Sequence, residues 1–197
     1  MTANRWNSNI HAFDRLLERV PAGAKRGLDV GCGEGEMARR LRQRVQHVTA
    51  IDPDESSIAE ARSFGDDIAY EIADLQSAHL AAGSFDVVSA VAVLHHMDHR
   101  EGLTQLASLV APGGLLLVVG LARSRTPSEY ARDALDAVAI RPYTFTRRVW
   151  ETPAPKIWPP PVSYAEARRL SEEVLPGVEY RRAPFFRYTL TWVNRAG

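Results

Sequence analysis

Asp29, Asp52 and Asp74 follow one another along the chain, and the run Gly31-Cys32-Gly33-Glu34-Gly35 sits just after the first of them. Glycine lets a backbone turn sharply and lets a ligand approach the main chain. Asp52 lies 23 residues beyond Asp29, after a second apolar run. A carboxylate at the tip of a second strand can accept hydrogen bonds from both hydroxyls of a ribose. A glycine-rich turn by itself also fits a tight strand–helix connection with no ligand. The set of Asp29, the glycines, Asp52 and Asp74 points instead to a nucleoside site. A dinucleotide fingerprint needs a small residue where this chain has Glu36, so a diphosphate and a dehydrogenase are disfavoured. An acidic Asp29 beside the turn suits a cationic ligand better. There is no Gly-Lys-Ser/Thr run of a phosphate-binding P-loop.

His95 and His96 are the candidate general bases, because an imidazole titrates near neutrality. His11 and His99 are weaker candidates. His95 and His99 are four apart, as metal ligands on one helical turn can be, but no second group of ligands accompanies them and no metal is expected. Cys32 reads as a small residue filling the glycine turn, not as a nucleophile.

These residues need a frame. Gly27 to Val30, Val48 to Ile51, Ile68 to Ile72, Phe85 to Ala90 and Leu115 to Gly120 read as strands. Helical spacing appears at 9–20 (Ile10, Phe13, Leu17, Val20), at Met37, Leu41 and Val45, at Ser56 to Phe64 with Asp54 as cap, and at Leu103, Leu106 and Leu109. Pro112-Gly113-Gly114 reads as a turn. Alternation at this spacing predicts an open parallel α/β sheet with helices on both faces.

The alternation breaks after Gly120. Residues 128–140 read as a helix. The aromatic and proline-rich stretch 141–161 is too rich in proline for a helix and too apolar for a free linker, so it reads as an ordered lid. Ser163 and Glu166 carry a capping-box signature for a last helix. Val178 to Arg182 and Phe185 to Val193 read as two antiparallel strands around Ala183-Pro184.

The chain has 197 residues, 45% hydrophobic and 24% charged, enough for a substantial core. The 24 basic and 24 acidic side chains balance, which argues against a general nucleic-acid binder. Residues 1–120 hold 11 basic and 16 acidic side chains, and residues 121–197 hold 13 and 8. The C-terminal surplus reads as solvated surface or as attraction for an anionic substrate. Cys32 is the single cysteine, so no intrachain disulfide forms. No signal-peptide run or membrane-length apolar stretch occurs, and a soluble cytoplasmic protein is expected, monomeric or homodimeric.

The strings LDVGCGEG, AIDPDESSIAEAR, ADL, FDVVSAVAVLHHM and LVAPGGLLLVVG together resemble the class I S-adenosylmethionine-dependent methyltransferases. The likeness covers about residues 25–120. It is nearest to the small-molecule branch typified by the ubiquinone and menaquinone methyltransferases. The segments Trp6-Asn7-Ser8-Asn9 and Arg187 to Trp192 are similar to those of an uncharacterised bacterial subgroup.

The resemblance implies a Rossmann-like, doubly wound α/β sheet of seven strands with the last antiparallel, plus an N-terminal helix and a helical and Pro-rich lid. One domain would divide into a cofactor-binding core at about 25–120, a lid at about 121–162, and a closing helix and strands at about 163–193. Gly31, Cys32 and Gly33 would line the methionine part of S-adenosylmethionine, with Asp29 holding the loop or reaching the amino group. Asp52 would bind the ribose, Pro53 would lie along the adenine, Asp74 would accept from the adenine amino group, and Leu75 would pack near the ring. Ala90 and Val91 would contact the methionine moiety. The product would be S-adenosylhomocysteine.

Trp6, Asn7 and Asn9 could close over the cofactor. Tyr143, Phe145, Trp150 and Trp158 could wall an apolar acceptor pocket, or simply pack the lid on the sheet. Arg141, Arg147 and Arg148 could bind an anion, or form a solvated face. The expected activity is methyl transfer to oxygen, nitrogen or carbon of a small molecule, without nucleic-acid or membrane partners. The alternatives are a methyltransferase acting on RNA or protein and a non-catalytic cofactor-binding scaffold.

Overall fold

The computed structural model describes residues 5–146, 148–149 and 157–195. The chain opens with β1 (Arg5–Trp6) and α1 (Ser8–Leu17), then β2 (Arg26–Val30), α2 (Glu36–Arg42), β3 (His47–Asp52), α3 (Glu55–Ser63) and β4 (Ala69–Ile72). It continues with β5 (Phe85–Val91), a short 3-10 turn at Leu94–His96, α4 (His99–Leu109) and β6 (Val110–Gly120). The last part comprises α5 (Pro127–Ala139), α6 (Arg141–Thr146), β7 (Arg148–Val149), α7 (Tyr164–Val174), β8 (Glu179–Ala183) and β9 (Arg187–Val193).

Seven strands form one sheet in the order β4-β3-β2-β5-β6-β9-β8. Neighbours from β4 to β6 are parallel, and β9 runs antiparallel to both β6 and β8. The chain winds outward from β2 to β4, then crosses back to lay β5 on the other side of β2. The connections after β2 and β5 therefore diverge, which opens a crevice at the carboxyl ends of those strands. Because β9 pairs Tyr188 with Gly120, the last residue of β6, the start of β9 lies at that same end.

Period-2 alternation distributes the apolar strand residues over two cores. On one face Ala50, Val87, Leu115, Leu117 and Val119 pack with Phe13 of α1, Leu41 of α2 and Ile58 of α3. On the other, Leu28, Val30, Val88, Leu116 and Val118 pack with Leu103 and Leu106 of α4 and Ala167 of α7. The unbroken apolar run of β6 is explained by burial on both faces. Side-chain caps set the helix starts: Asn7 accepts from Ile10 N–H, Asp54 from Ser57 N–H, and Thr126/Glu129 and Ser163/Glu166 form capping boxes.

Several boundaries differ from the sequence reading. β6 begins at Val110, not Leu115. Phe85 pairs with Val110 but Val87 pairs with Leu115, so the chain bulges through Pro112-Gly113-Gly114 and then resumes the ladder. Asn194 clamps that bulge, accepting from Gly113 N–H and donating to the Gly114 carbonyl. α1 stops at Leu17, and single backbone turns carry the chain on through Val20. Part of the expected lid is helical: α6 accommodates Pro142 because a helix's first turn needs no donor there. β9 starts at Arg187, not Phe185, because Phe185 and Phe186 adopt φ of 63° and 62°. No helix among the described residues is long and apolar enough to cross a membrane.

Candidate functional site

The crevice is a cavity of about 830 Å³ over β2, β3 and β5. Its floor is the glycine turn. Gly31, Gly33 and Gly35 have φ of 67°, 51° and 76°, the left-handed region that side chains disfavour. The N–H groups of Gly31 and Cys32 both donate to the Ile51 carbonyl, which pulls the turn onto β3. A β-carbon at Gly31 would stand 2.4 Å from Val93 Cγ2, whereas one at Gly33 would meet no atom within 4 Å. The first glycine thus permits packing, and the second keeps the main chain bare.

Asp52 stands at the tip of β3. Its Oδ2 accepts from Gly33 N–H at 2.8 Å and its Oδ1 from Asp54 N–H at 2.9 Å. A carboxylate offers about four acceptor sites, so both oxygens retain capacity for a ligand's hydroxyls. Pro53, Asp74 and Leu75 line the same cavity. Asp74 Oδ1 caps its own turn through the N–H groups of Gln76 and Ser77, and these bonds hold its carboxyl below the usual range.

Asp29 is 1% exposed, beneath the turn, and does not line the cavity. Burial pushes its carboxyl up to about 7, against the hydrogen bond from Ser89 Oγ to Oδ1. Its Oδ2 has no hydrogen-bond partner among the described residues. Cys32 lines the cavity, but burial first, then the Asp29 and Asp52 charges, raise its thiol so that it stays protonated. Ala90 is fully buried within the sheet, and its neighbour Val91 reaches the cavity.

Glu34, Glu36, Asp52, Asp54 and Asp74 lie on the cavity wall, and among the described residues no Lys or Arg does. Glu36 is tied to Arg39 and Arg40 behind the wall. Such a lining repels a diphosphate and favours a ligand bearing positive charge. Ala92 is a lining residue that sequence reasoning missed. It holds φ at 58° while its N–H donates to the Val119 carbonyl. Alanine carries no chemical signal, so only its place just beyond β5 could have marked it.

The structure separates the two candidate bases. His96 lines the cavity, and His95 does not. Their rings lie 4.0 Å apart, centroid to centroid. Burial, then His96 and Arg187, push His95 down to about 4; burial lowers His96 too, partly offset by Asp52. His99 is buried and likewise lowered to about 4, mainly by burial. Among the described residues no cluster of three His, Cys, Asp or Glu could hold a metal ion.

Asn7 and Asn9 border the cavity. Trp6 instead stacks on Tyr143 at 4.9 Å and meets Phe185 edge-on at 5.6 Å, closing an aromatic cluster that also includes His11. With the parallel pairing of β1 and β7, that cluster ties the entry segment to α6. Phe145 and Trp158 are 86% and 73% exposed, and Arg141 is exposed. Trp150 and Arg147 lie outside the described residues, as does the side chain of Arg148.

A doubly wound sheet with an antiparallel β9, a bare glycine turn and an acidic cavity at the carboxyl ends of β2, β3 and β5 define a Rossmann-like α/β protein. Comparison with known proteins sharpens this. The methyltransferase domain family matches residues 28–118. The chain is 40% identical over 195 residues to an uncharacterised methyltransferase of Mycobacterium tuberculosis, covering 95% of this chain and 96% of that one. It is 36% identical to a ubiquinone biosynthesis O-methyltransferase of Xanthomonas axonopodis pv. citri, covering 70% of this chain and 64% of the other. The N-methyltransferase NodS of Bradyrhizobium japonicum, solved with S-adenosyl-L-homocysteine, shares the fold with a TM-score of 0.63 and 18% identity over 95% of this chain and 88% of that one. The chain belongs to the class I S-adenosylmethionine-dependent methyltransferases and is a methyltransferase using that cofactor.

Proposed function

We propose that this enzyme methylates a small-molecule acceptor at oxygen, nitrogen or carbon, and that the described cavity holds the cofactor. The observation that carries the reading is the acid-lined cavity with Gly33 and Asp52 joined at its centre. S-adenosylmethionine, when bound, supplies an electrophilic methyl group on a sulfonium, with a net positive charge that this lining suits. Gly31, Cys32 and Gly33 would face the methionine part and Asp52 the ribose. Pro53 and Leu75 would flank the adenine, and Asp74 would accept from its amino group. Asp29 supports the turn from below.

His96 is the base we favour for an acceptor that must lose a proton, because it lines the cavity while His95 stands behind it. The lowered imidazole is neutral at working pH and free to accept. The segment from Trp6 to Asn9, fastened to α6, closes the acceptor side. Relatives named as ubiquinone biosynthesis and malonyl-acyl carrier protein O-methyltransferases support an oxygen acceptor.

The test is calorimetric titration with S-adenosylhomocysteine and, separately, NADH. Micromolar binding of the first, absent for NADH and lost in Asp52→Ala, is expected. Labelled methyl transfer to an acceptor panel then checks turnover. Absence of cofactor binding overturns the reading.

A further inference from the structure

Arg187 opens β9 at the carboxyl end of the parallel strands, and it differs from three other arginines that reach inward. Arg39, Arg40 and Arg182 each reach a carboxylate. Arg187 reaches none among the described residues. Its Nε donates to Asn9 Oδ1 at 2.6 Å, and its Nη1 makes long contacts, both 3.4 Å, with the carbonyls of Phe185 and Phe186. Nη2 has no hydrogen-bond partner among the described residues. Among the described residues the titratable groups facing it are His95 and Tyr164. Neither offers a negative charge at neutral pH: the imidazole is depressed and the phenol raised.

A desolvated guanidinium without a counter-ion is costly, and burial pulls Arg187 down to about 10. The surroundings hold it in place regardless. Phe185 and Phe186, both left-handed, turn their carbonyls onto Nη1, and Asp136 accepts from Phe186 N–H to secure that turn. Asn9 binds Nε and also borders the cofactor cavity, so it connects the guanidinium to the place where the acceptor must meet the methyl group.

We propose that Arg187 is the anchor for an oxyanion, carboxylate or phosphate, carried by the methyl acceptor, held through Nη2 beside Asn9. This rests on the methyltransferase reading and gives its acceptor a chemical class. Among the described residues no Lys or Arg lies on the cavity wall, and Arg187, bonded to the lining residue Asn9, is the cation that reaches it through a side-chain contact without a carboxylate partner. A guanidinium held on one edge and open on another selects an acid over its neutral amide, because the amide leaves the cation uncompensated.

The test uses the full chain saturated with S-adenosylhomocysteine and three rigid probes: 4-hydroxybenzoate, 4-hydroxyphenyl phosphate and 4-hydroxybenzamide. Ligand-observed NMR titration reads their affinities. The expected result is that one of the two anions binds at least tenfold more tightly than the amide, and the tighter one identifies the source of the oxyanion. Arg187→Gln abolishes that preference, Arg187→Lys keeps part of it, and the affinity for S-adenosylhomocysteine stays within about twofold in both variants. The thermal midpoint of ligand-free Arg187→Gln does not fall, since a half-buried cation with no carboxylate partner among the described residues has been removed; a guanidinium with only a structural role would give a fall. Equal binding of anion and amide by the unaltered protein, or no binding of either anion, overturns the proposal without any variant. So does a preference that survives in a folded Arg187→Gln. A tenfold loss of S-adenosylhomocysteine affinity in the variant would overturn it differently, by assigning Arg187 to the cofactor's own carboxylate. Failure of the unaltered chain to bind S-adenosylhomocysteine removes the methyltransferase reading itself.

Discussion

Gly33 N–H and the Asp52 carboxylate are joined at 2.8 Å, which couples the glycine turn after β2 to the tip of β3. One side chain therefore shapes the floor and lines the cavity. Asp52→Ala removes both functions. Hydrogen bonds to a charged group contribute roughly 1.5–3 kcal/mol each, so S-adenosylhomocysteine affinity is expected to fall by more than about tenfold in calorimetry. Unchanged affinity would remove Asp52 from the site.

Gly31 and Gly33 are expected to fail in different ways when replaced by alanine. At Gly31 a methyl group collides with Val93, and the left-handed backbone adds about 1–3 kcal/mol of strain. Chemical denaturation of Gly31→Ala should show the larger loss of stability. At Gly33 the methyl group meets only open cavity, so backbone strain remains but ligand affinity suffers most. Equal stability losses with normal binding in Gly33→Ala would contradict this placement.

His96→Ala should lower turnover by about 10²–10⁴-fold with little change in cofactor affinity, once an acceptor that loses a proton is in hand. His95→Ala should act mainly through packing. A larger turnover loss in His95→Ala than in His96→Ala would reverse the assignment.

Acid should weaken the fold in a defined window. His95 and His99 have folded values near 4 against an ordinary 6.5. Between those limits the unfolded chain binds more protons, so stability present above pH 6.5 is lost as pH falls toward 4. Each contributes on the order of 2–3 kcal/mol. Asp29, raised from 3.8 to about 7, works in the opposite sense, since the folded chain binds the extra proton there. Asp29→Asn removes that opposition, so the loss between pH 6.5 and 4 should become steeper. Urea titrations across pH check it, and an unchanged slope in the variant would count against a protonated Asp29.

The alternating strand and helix patterns made the core of the sheet legible, because burial on two faces imposes apolar runs that composition reveals directly. Gly31, Gly33 and Asp52 were legible for a related reason: conformational freedom and a carboxylate at a strand tip are properties of residue type and spacing. The bulge at 111–114 was not, since it depends on Asn194, 80 positions away along the chain. Neither was the left-handed turn at Phe185 and Phe186, which tertiary contacts hold against the preference of both residues.

From sequence alone came the sheet class, the nucleoside-type turn and the family resemblance. Folding decided which of two adjacent histidines faces the cavity, that Trp6 and Tyr143 stack on each other, and that Arg187 is bonded to Asn9 and to no carboxylate among the described residues. The physical reason is that local pattern reports conformation and burial, whereas direction, pairing and desolvation arise only when segments distant in sequence are brought together.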